Sequence, residues 1–284
     1  MAKLRDQLDR AKRFLDYTKT ALRGDHARIE SDLQKEVTLQ REAYLQLLLQ
    51  CIVGTIYRDP PLRDDKGKGY DAEVREYGWD WPSSAHSMIG RKRMENVRGL
   101  VESVVGEGVP GDLIETGVWR GGACIFMRGI LKTYGVRDRV VWVADSFEGL
   151  PKPDEGRYPA DKGDAFHTFK ELAITLDEVR DNFDRYGLLD DRVRFLKGWF
   201  KDTLPSAPIE RLALLRLDGD MYESTMDALA PLYPKLSRGG YVIVDDYHVV
   251  AGCKQAVEDY RAAHSITDPL REIDGVGVFW QRSS

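Results

Sequence analysis

The chain has 284 residues, of which 42% are hydrophobic and 31% charged, and it carries a formal net charge of −5. That length can bury a sizeable core, as one large domain or as one domain with an appendage. The acidic balance argues against a bulk nucleic-acid binder, and no apolar run is long enough to span a membrane.

At the start, Leu4, Leu8, Ala11, Leu15, Thr18 and Leu22 recur at alternating spacings of four and three, a helical stripe of coiled-coil type. Gly24 and Asp25 are expected to interrupt it. A second stripe through Ile29, Leu33 and Val37 leads into the apolar YLQLLLQCIVGTIY. Two readings follow: an arm that associates with copies of itself, making a dimer or larger homo-oligomer, or a helix packed on its own domain. The opening MAKLRDQLDR is charged and lacks the apolar core of a secretory signal. Cys51, Cys124 and Cys253 are far apart and form no CxxC pair, which fits a reduced cytoplasmic protein without structural zinc. Residues 59–86, with DPPLRDDKGKGYD and WDWP, read as a loop or flap. Ile89, Met94, Val97, Leu100, Val101 and Val104 restore a helical pattern over residues 87–105.

Past Gly111 the pattern alternates. LIETGV, VVWVAD, RVRFLKG, LALLRLD and GGYVIVDD read as strands, with ACIFMRGILKTYG and STMDALAPLYPKL as helices between them. Near-continuous apolar strands separated by helices predict an α/β fold, a doubly wound and mostly parallel sheet covered on both faces. LREIDGVGVFWQR, with Asp274-Gly275 between two extended runs, predicts an antiparallel hairpin at the C-terminal end of that sheet. Between Pro151 and Asp191 lies an insertion that closes with a capping-box helix start at Thr175 and Glu178. Its opening, PKPDEGRYPADKGD, reads as a lid-like segment over about 151–175, or else as a solvated loop. The expected organisation is a helical arm over 1–43 and a catalytic domain over 44–284.

ETGVWRGG joins a strand to a helix, so backbone N–H groups at the helix start face a ligand. Gly117 permits the tight turn and Gly121-Gly122 a close approach of the helix. Trp119 stands where the dinucleotide fingerprint has its second glycine, which disfavours a pyrophosphate but leaves room for a nucleoside. Asp145, ending the next strand, has the spacing of an acid that takes a ribose hydroxyl pair.

RLDGDMYEST and GGYVIVDD each end a strand on acids: Asp218 and Asp220 in the first, Asp245 and Asp246 in the second. If these strands are neighbours, three carboxylates converge and repel one another. A hard divalent cation relieves this, and an all-oxygen set favours Mg²⁺, Mn²⁺ or Ca²⁺ over zinc. Asp220 would clear the strand and face a substrate. Alternatively, these acids cap helices or pair with Arg and Lys.

IETGVWRGGACIFMRG, VVWVADSFEGLP, LLDDRVRFLKGWFKDTLP, LRLDGDMYEST and GGYVIVDDY together closely resemble the macrocin O-methyltransferase family, enzymes that methylate sugar hydroxyls of antibiotics. The resemblance runs from about Tyr44 to Arg282 and leaves the first 40 or so residues unmatched. It implies a class I, Rossmann-like methyltransferase fold, S-adenosylmethionine as cofactor with Mg²⁺ or Mn²⁺, and a glycosylated small-molecule acceptor. It also implies Asp218, Asp245 and Asp246 as metal ligands and Asp220 as general base. By the same resemblance the cofactor pocket comprises Glu115, Thr116, Gly117, Arg120, Gly121, Asp145, Ser146, Gly198 and Trp199, with Met88 at its border.

The alternatives are a phenol or catechol acceptor for the same metal-assisted chemistry, a DxD glycosyltransferase and a phosphatase of the haloacid-dehalogenase type. The last would normally open its core fold with DxD, whereas here a glycine-turn unit precedes it.

Overall fold

The computed structural model describes residues 2–63 and 67–283, and within the first helix the side chains of Arg10, Lys12, Arg13 and residues 28 onward. The chain divides into two compact units, Met1–Leu47 and Leu48–Ser284. The first unit is helical throughout its described part, lying within α1 (Ala2–Ile52), a single helix of 51 residues. Gly24 and Asp25 therefore do not interrupt it. A glycine inside a helix costs only about 1 kcal/mol, and the good helix formers on either side carry the helix through. The side chains of Leu4, Leu8, Ala11, Leu15, Thr18 and Leu22 lie outside the described residues; Ile29, Leu33 and Val37 are exposed.

In the second unit the segment expected as a loop contains a short helix, α2 (Ala72–Tyr77). Asp71 caps its start by accepting from the N–H groups of Glu73 and Val74, and Gly78 ends it in a left-handed conformation. Buried Arg75 and Asp59 organise the surrounding chain. Arg75 pairs with Asp80 and donates to the carbonyls of Val53 and Asp59, while the Asp59 carboxylate accepts from Ser83, Ser84 and Ala85.

Then follow α3 (Gly90–Gly106), β1 (Asp112–Thr116), α4 (Gly122–Thr133), β2 (Val141–Asp145), α5 (Leu176–Arg185), β3 (Val193–Lys197), α6 (Phe200–Thr203), β4 (Leu212–Leu217), α7 (Tyr222–Leu232), β5 (Leu236–Val244), α8 (Ala251–Ala263), β6 (Arg271–Glu272) and β7 (Val278–Gln281). The strands form one seven-stranded sheet in the order β3-β2-β1-β4-β5-β7-β6. The first five run parallel, and β7 lies antiparallel between β5 and β6, as the Asp274-Gly275 signal predicted. Thr175 accepts from the Glu178 N–H at the start of α5, the cap anticipated from the sequence.

Because side chains alternate across a strand, each apolar run feeds both faces. Ile114, Leu215, Leu217, Val242 and Val244 enter one core cluster with Leu229 and Leu232 of α7 and Val257 and Tyr260 of α8. Helices α3 and α4 pack together and also meet the sheet. Wrapping a parallel sheet on both sides leaves one free rim, where the carboxyl ends of β1, β2, β4 and β5 emerge side by side. Ligands of such sheets bind along that rim.

Candidate active site

β4 and β5 are hydrogen-bonded neighbours, with Leu217 registered against Val244. The next residue of each strand is an acid, so Asp218 and Asp245 emerge adjacent and Asp246 follows. Asp218, Asp245 and Asp246 each place one carboxylate oxygen within 4.8 Å of the others, the one such group among the described residues. One oxygen of Asp246 is buried with no hydrogen-bond partner. An orphaned anionic oxygen beside two more carboxylates fits a hard divalent cation, and the all-oxygen donor set fits Mg²⁺ or Mn²⁺.

Two buried arginines face the same acids. Arg216, inside β4, bonds Asp218, Asp245 and the buried Glu115 across the sheet on β1. Arg93, from α3, bonds Asp245 and approaches Asp274 of the C-terminal hairpin at 3.1 Å. The cations hold the acids from behind and from the side. Burial, followed by mutual repulsion, raises the carboxyls of Asp218, Asp220 and Asp246 above their ordinary range. Glu115, beneath the floor, is pushed up to about 7 by burial despite Arg216, and it accepts a hydrogen bond from the Cys124 thiol at 2.9 Å.

A cavity of about 530 Å³ opens over this cluster. Met88, Gly117, Asp145, Ser146, Trp199, Asp218, Asp220, Asp245 and Asp246 all line it. Glu115, Thr116, Arg120, Gly121 and Gly198 are not among its lining residues. Arg120 donates to the carbonyls of Pro82, Ser83 and Ala85, tying the segment before Met88 to the β1–α4 turn. Gly121 is the N-cap of α4, where a Cβ would come within 2.8 Å of Val179, and the Gly198 N–H donates to the Asp145 carbonyl at 2.9 Å.

Gly117 is required where it stands. Its φ is 84° and a Cβ would run into the carbonyl of Asp218. This contact presses the β1 turn against the β4 end. Asp145 accepts from the N–H groups of Val118 and Phe147, each at 2.7 Å, which fixes its carboxylate at the cavity wall.

The cavity is also lined by Trp79 and Trp81 of the WDWP segment, Phe166 and Leu172 of the lid-like segment, Arg93 of α3 and Val249, none of which the sequence singles out as a site residue. Aromatic and apolar residues in loops carry no spacing signal. Arg216 did carry one, as a lone cation in the apolar LALLRLD.

A macrocin-O-methyltransferase (TylF) family model matches residues 53–282. The chain belongs to that family. It is an O-methyltransferase. Demethyldecarbamoylnovobiocin O-methyltransferase from Streptomyces niveus is 56% identical over 253 residues, covering 88% of this chain and 97% of that protein. Mycinamicin III 3''-O-methyltransferase from Micromonospora griseorubida is 53% identical over 248 residues, covering 86% and 97% respectively. The structure of the O-methyltransferase NovP superposes with a TM-score of 0.83 at 57% identity, over 86% of this chain and all of that one. The family's match begins at residue 53, so α1 lies outside it. No described helix is long and apolar enough to cross a membrane.

Proposed function

We propose that the chain transfers a methyl group from S-adenosylmethionine to a sugar hydroxyl of a glycosylated natural product, with a divalent cation at Asp218, Asp245 and Asp246. The observation that carries this reading is the convergence of those three carboxylates, with Asp220 beside them, in the cavity that Asp145 and Gly117 also line. When bound, the cofactor supplies an electrophilic methyl group and the cation supplies Lewis acidity toward the acceptor oxygen.

The chain's own residues supply the rest. Asp145 takes the ribose hydroxyls, with Ser146, Trp199, Met88 and Gly117 around the nucleoside, and Glu115, Thr116, Arg120, Gly121 and Gly198 shaping that pocket from behind. Asp220 accepts the hydroxyl proton as general base. Transfer would form the O–CH3 bond as the S–CH3 bond breaks, with S-adenosylhomocysteine as the leaving product and no covalent bond to the chain. Lys152, Lys201, Glu223 and Asp227 line the same cavity and offer partners for sugar hydroxyls. Trp79, stacked on Tyr77 at 4.6 Å, and Val249 line it too and are exposed, which suits the apolar body of an aglycone. The sugar assignment also draws on the relatives, whose names specify antibiotic and antibiotic-sugar acceptors. We propose a division of labour between an arm over 1–43, used in homo-oligomer assembly, and a domain over 44–284 whose segment 151–175 covers the site.

The test is methyl transfer to a panel of glycosylated aminocoumarins, macrolides and aromatic polyketides with Mg²⁺, read by mass spectrometry. The expected result is one added methyl on the sugar, with Asp220→Asn binding S-adenosylhomocysteine normally while turning over about 10²–10⁴-fold more slowly. Methylation of phenols or catechols and of no sugar would overturn the acceptor class. Unchanged turnover in Asp220→Asn would remove Asp220 from its role.

A further inference from the structure

Asp161 lies in the insertion, in a single 3-10 turn, Pro159–Asp161, and is 3% exposed. Both of its carboxylate oxygens face α7. One accepts the N–H of Tyr222 at 2.6 Å and the other the N–H of Glu223 at 3.0 Å. These are the first donors of the helix, and its own N-cap residue, Met221, makes no side-chain cap. The helix that begins just after Asp220 is therefore capped by a residue some sixty positions upstream.

Asp220 has a φ of 58°. Asp is among the few non-glycine residues that visit this left-handed region, and it is held there where its surroundings enforce the conformation. Asp161 anchors the chain two residues beyond. The third element at this junction is α8, which approaches through Gly252. A Cβ there would stand 2.7 Å from a carboxylate oxygen of Asp161 and 3.1 Å from the Tyr222 nitrogen. The insertion, α7 and α8 thus meet at a point with no room for another side chain.

We propose that Asp161 is a positioning residue for methyl transfer: by capping α7 it holds the left-handed turn that aims Asp220 at the acceptor oxygen. This rests on the role given to Asp220 above. The insertion then acts as more than a cover, because it carries the group that sets the geometry of the base.

The test is steady-state kinetics of Asp161→Ala, Asp161→Asn and Gly252→Ala, with Asp161→Ala also made in the Asp220→Asn background, and S-adenosylhomocysteine affinity measured for each. Asp161→Ala is expected to lower kcat about tenfold to a hundredfold with cofactor affinity unchanged, as a misaimed group does. Asp161→Asn keeps one carbonyl acceptor but turns an amide NH2 toward the other helix N–H, and should recover part of the rate. Gly252→Ala displaces the cap without altering it and should slow turnover in the same way. In the Asp220→Asn background Asp161→Ala should add nothing, the signature of one residue acting through another. Full kcat in Asp161→Ala, an equal loss in both backgrounds, or a loss that merely tracks falling cofactor affinity and melting temperature would each overturn the proposal alone. Wild-type turnover in Asp220→Asn would sink the base assignment and the proposal with it.

Discussion

The guanidinium of Arg216 bridges Asp218 and Asp245, the residues just past the ends of two neighbouring strands, and bonds Glu115 from the same buried position. One cation thereby fixes three acids from three strand ends. Its side chain is 1% exposed, so it serves the acids and not solvent.

Arg216→Met keeps the volume but leaves Glu115 buried without its charged partner. Breaking a buried pair in this way costs about 3–5 kcal/mol. Denaturant unfolding should show that loss, and Arg216→Lys, which keeps the charge but cannot span the acids, should fall between. Wild-type stability in Arg216→Met would mean that the acids are neutralised by something else.

Metal removal is the second check. Activity should vanish in EDTA and return with Mg²⁺ or Mn²⁺. Thermal unfolding should report the ion directly, since a ligand at ~100 times its dissociation constant adds about 2.7 kcal/mol. Asp246→Asn should weaken that stabilisation. Full activity in EDTA would refute the metal assignment.

Gly117→Ala tests the contact between the β1 turn and Asp218. Gly163→Ala is the control, because its φ of 82° is similar but a Cβ there meets nothing within 4 Å. Both variants carry the backbone cost, of order 1 kcal/mol, and Gly117→Ala alone must also displace Asp218. It should lose S-adenosylhomocysteine affinity while Gly163→Ala retains it. Equal behaviour of the two would deny the clash a role.

His86 predicts a pH dependence. It is held down to about 4, chiefly by burial and then by repulsion from Arg120 and Arg185, and its ring contacts the Tyr186 hydroxyl at 2.7 Å. Above its ordinary value near 6.5, folded and unfolded chains both carry it neutral. As pH falls from about 6.5 to about 4, the unfolded chain binds a proton that the folded chain refuses, and stability is lost across that window. Below about 4 both forms are protonated and this loss stops growing. Melting curves of wild type and His86→Phe should diverge in slope between those limits. Parallel curves would contradict the assignment.

Most of the sheet was legible in the sequence because its strands are buried on both faces. Runs such as LALLRL and GYVIV leave little choice of element, and Asp274-Gly275 marks the hairpin. The carboxylate cluster was legible because acids that close two apolar, adjacent strands must meet a cation or a counter-charge. What escaped detection has no local pattern. Gly24 and Asp25 resemble a helix break but lie within one helix. Asp71 and Gly78 frame α2 with proper caps, yet the helix they enclose is too short to show periodicity. Arg93 reaches Asp245 from α3 and Asp161 reaches the start of α7 from the insertion, across 152 and 61 residues of chain, distances at which only folding reveals a partner.

Seven carboxylates and three cationic side chains line the cavity: Asp145, Asp218, Asp220, Glu223, Asp227, Asp245 and Asp246 against Arg93, Lys152 and Lys201. Such a surplus sets a potential that gathers positive charge. S-adenosylmethionine carries a sulfonium cation, whereas S-adenosylhomocysteine carries an uncharged thioether. On the proposed function, the acids that neither the arginines nor the cation neutralise would hold a sulfonium donor more firmly than its thioether product, so each turnover would loosen its own product.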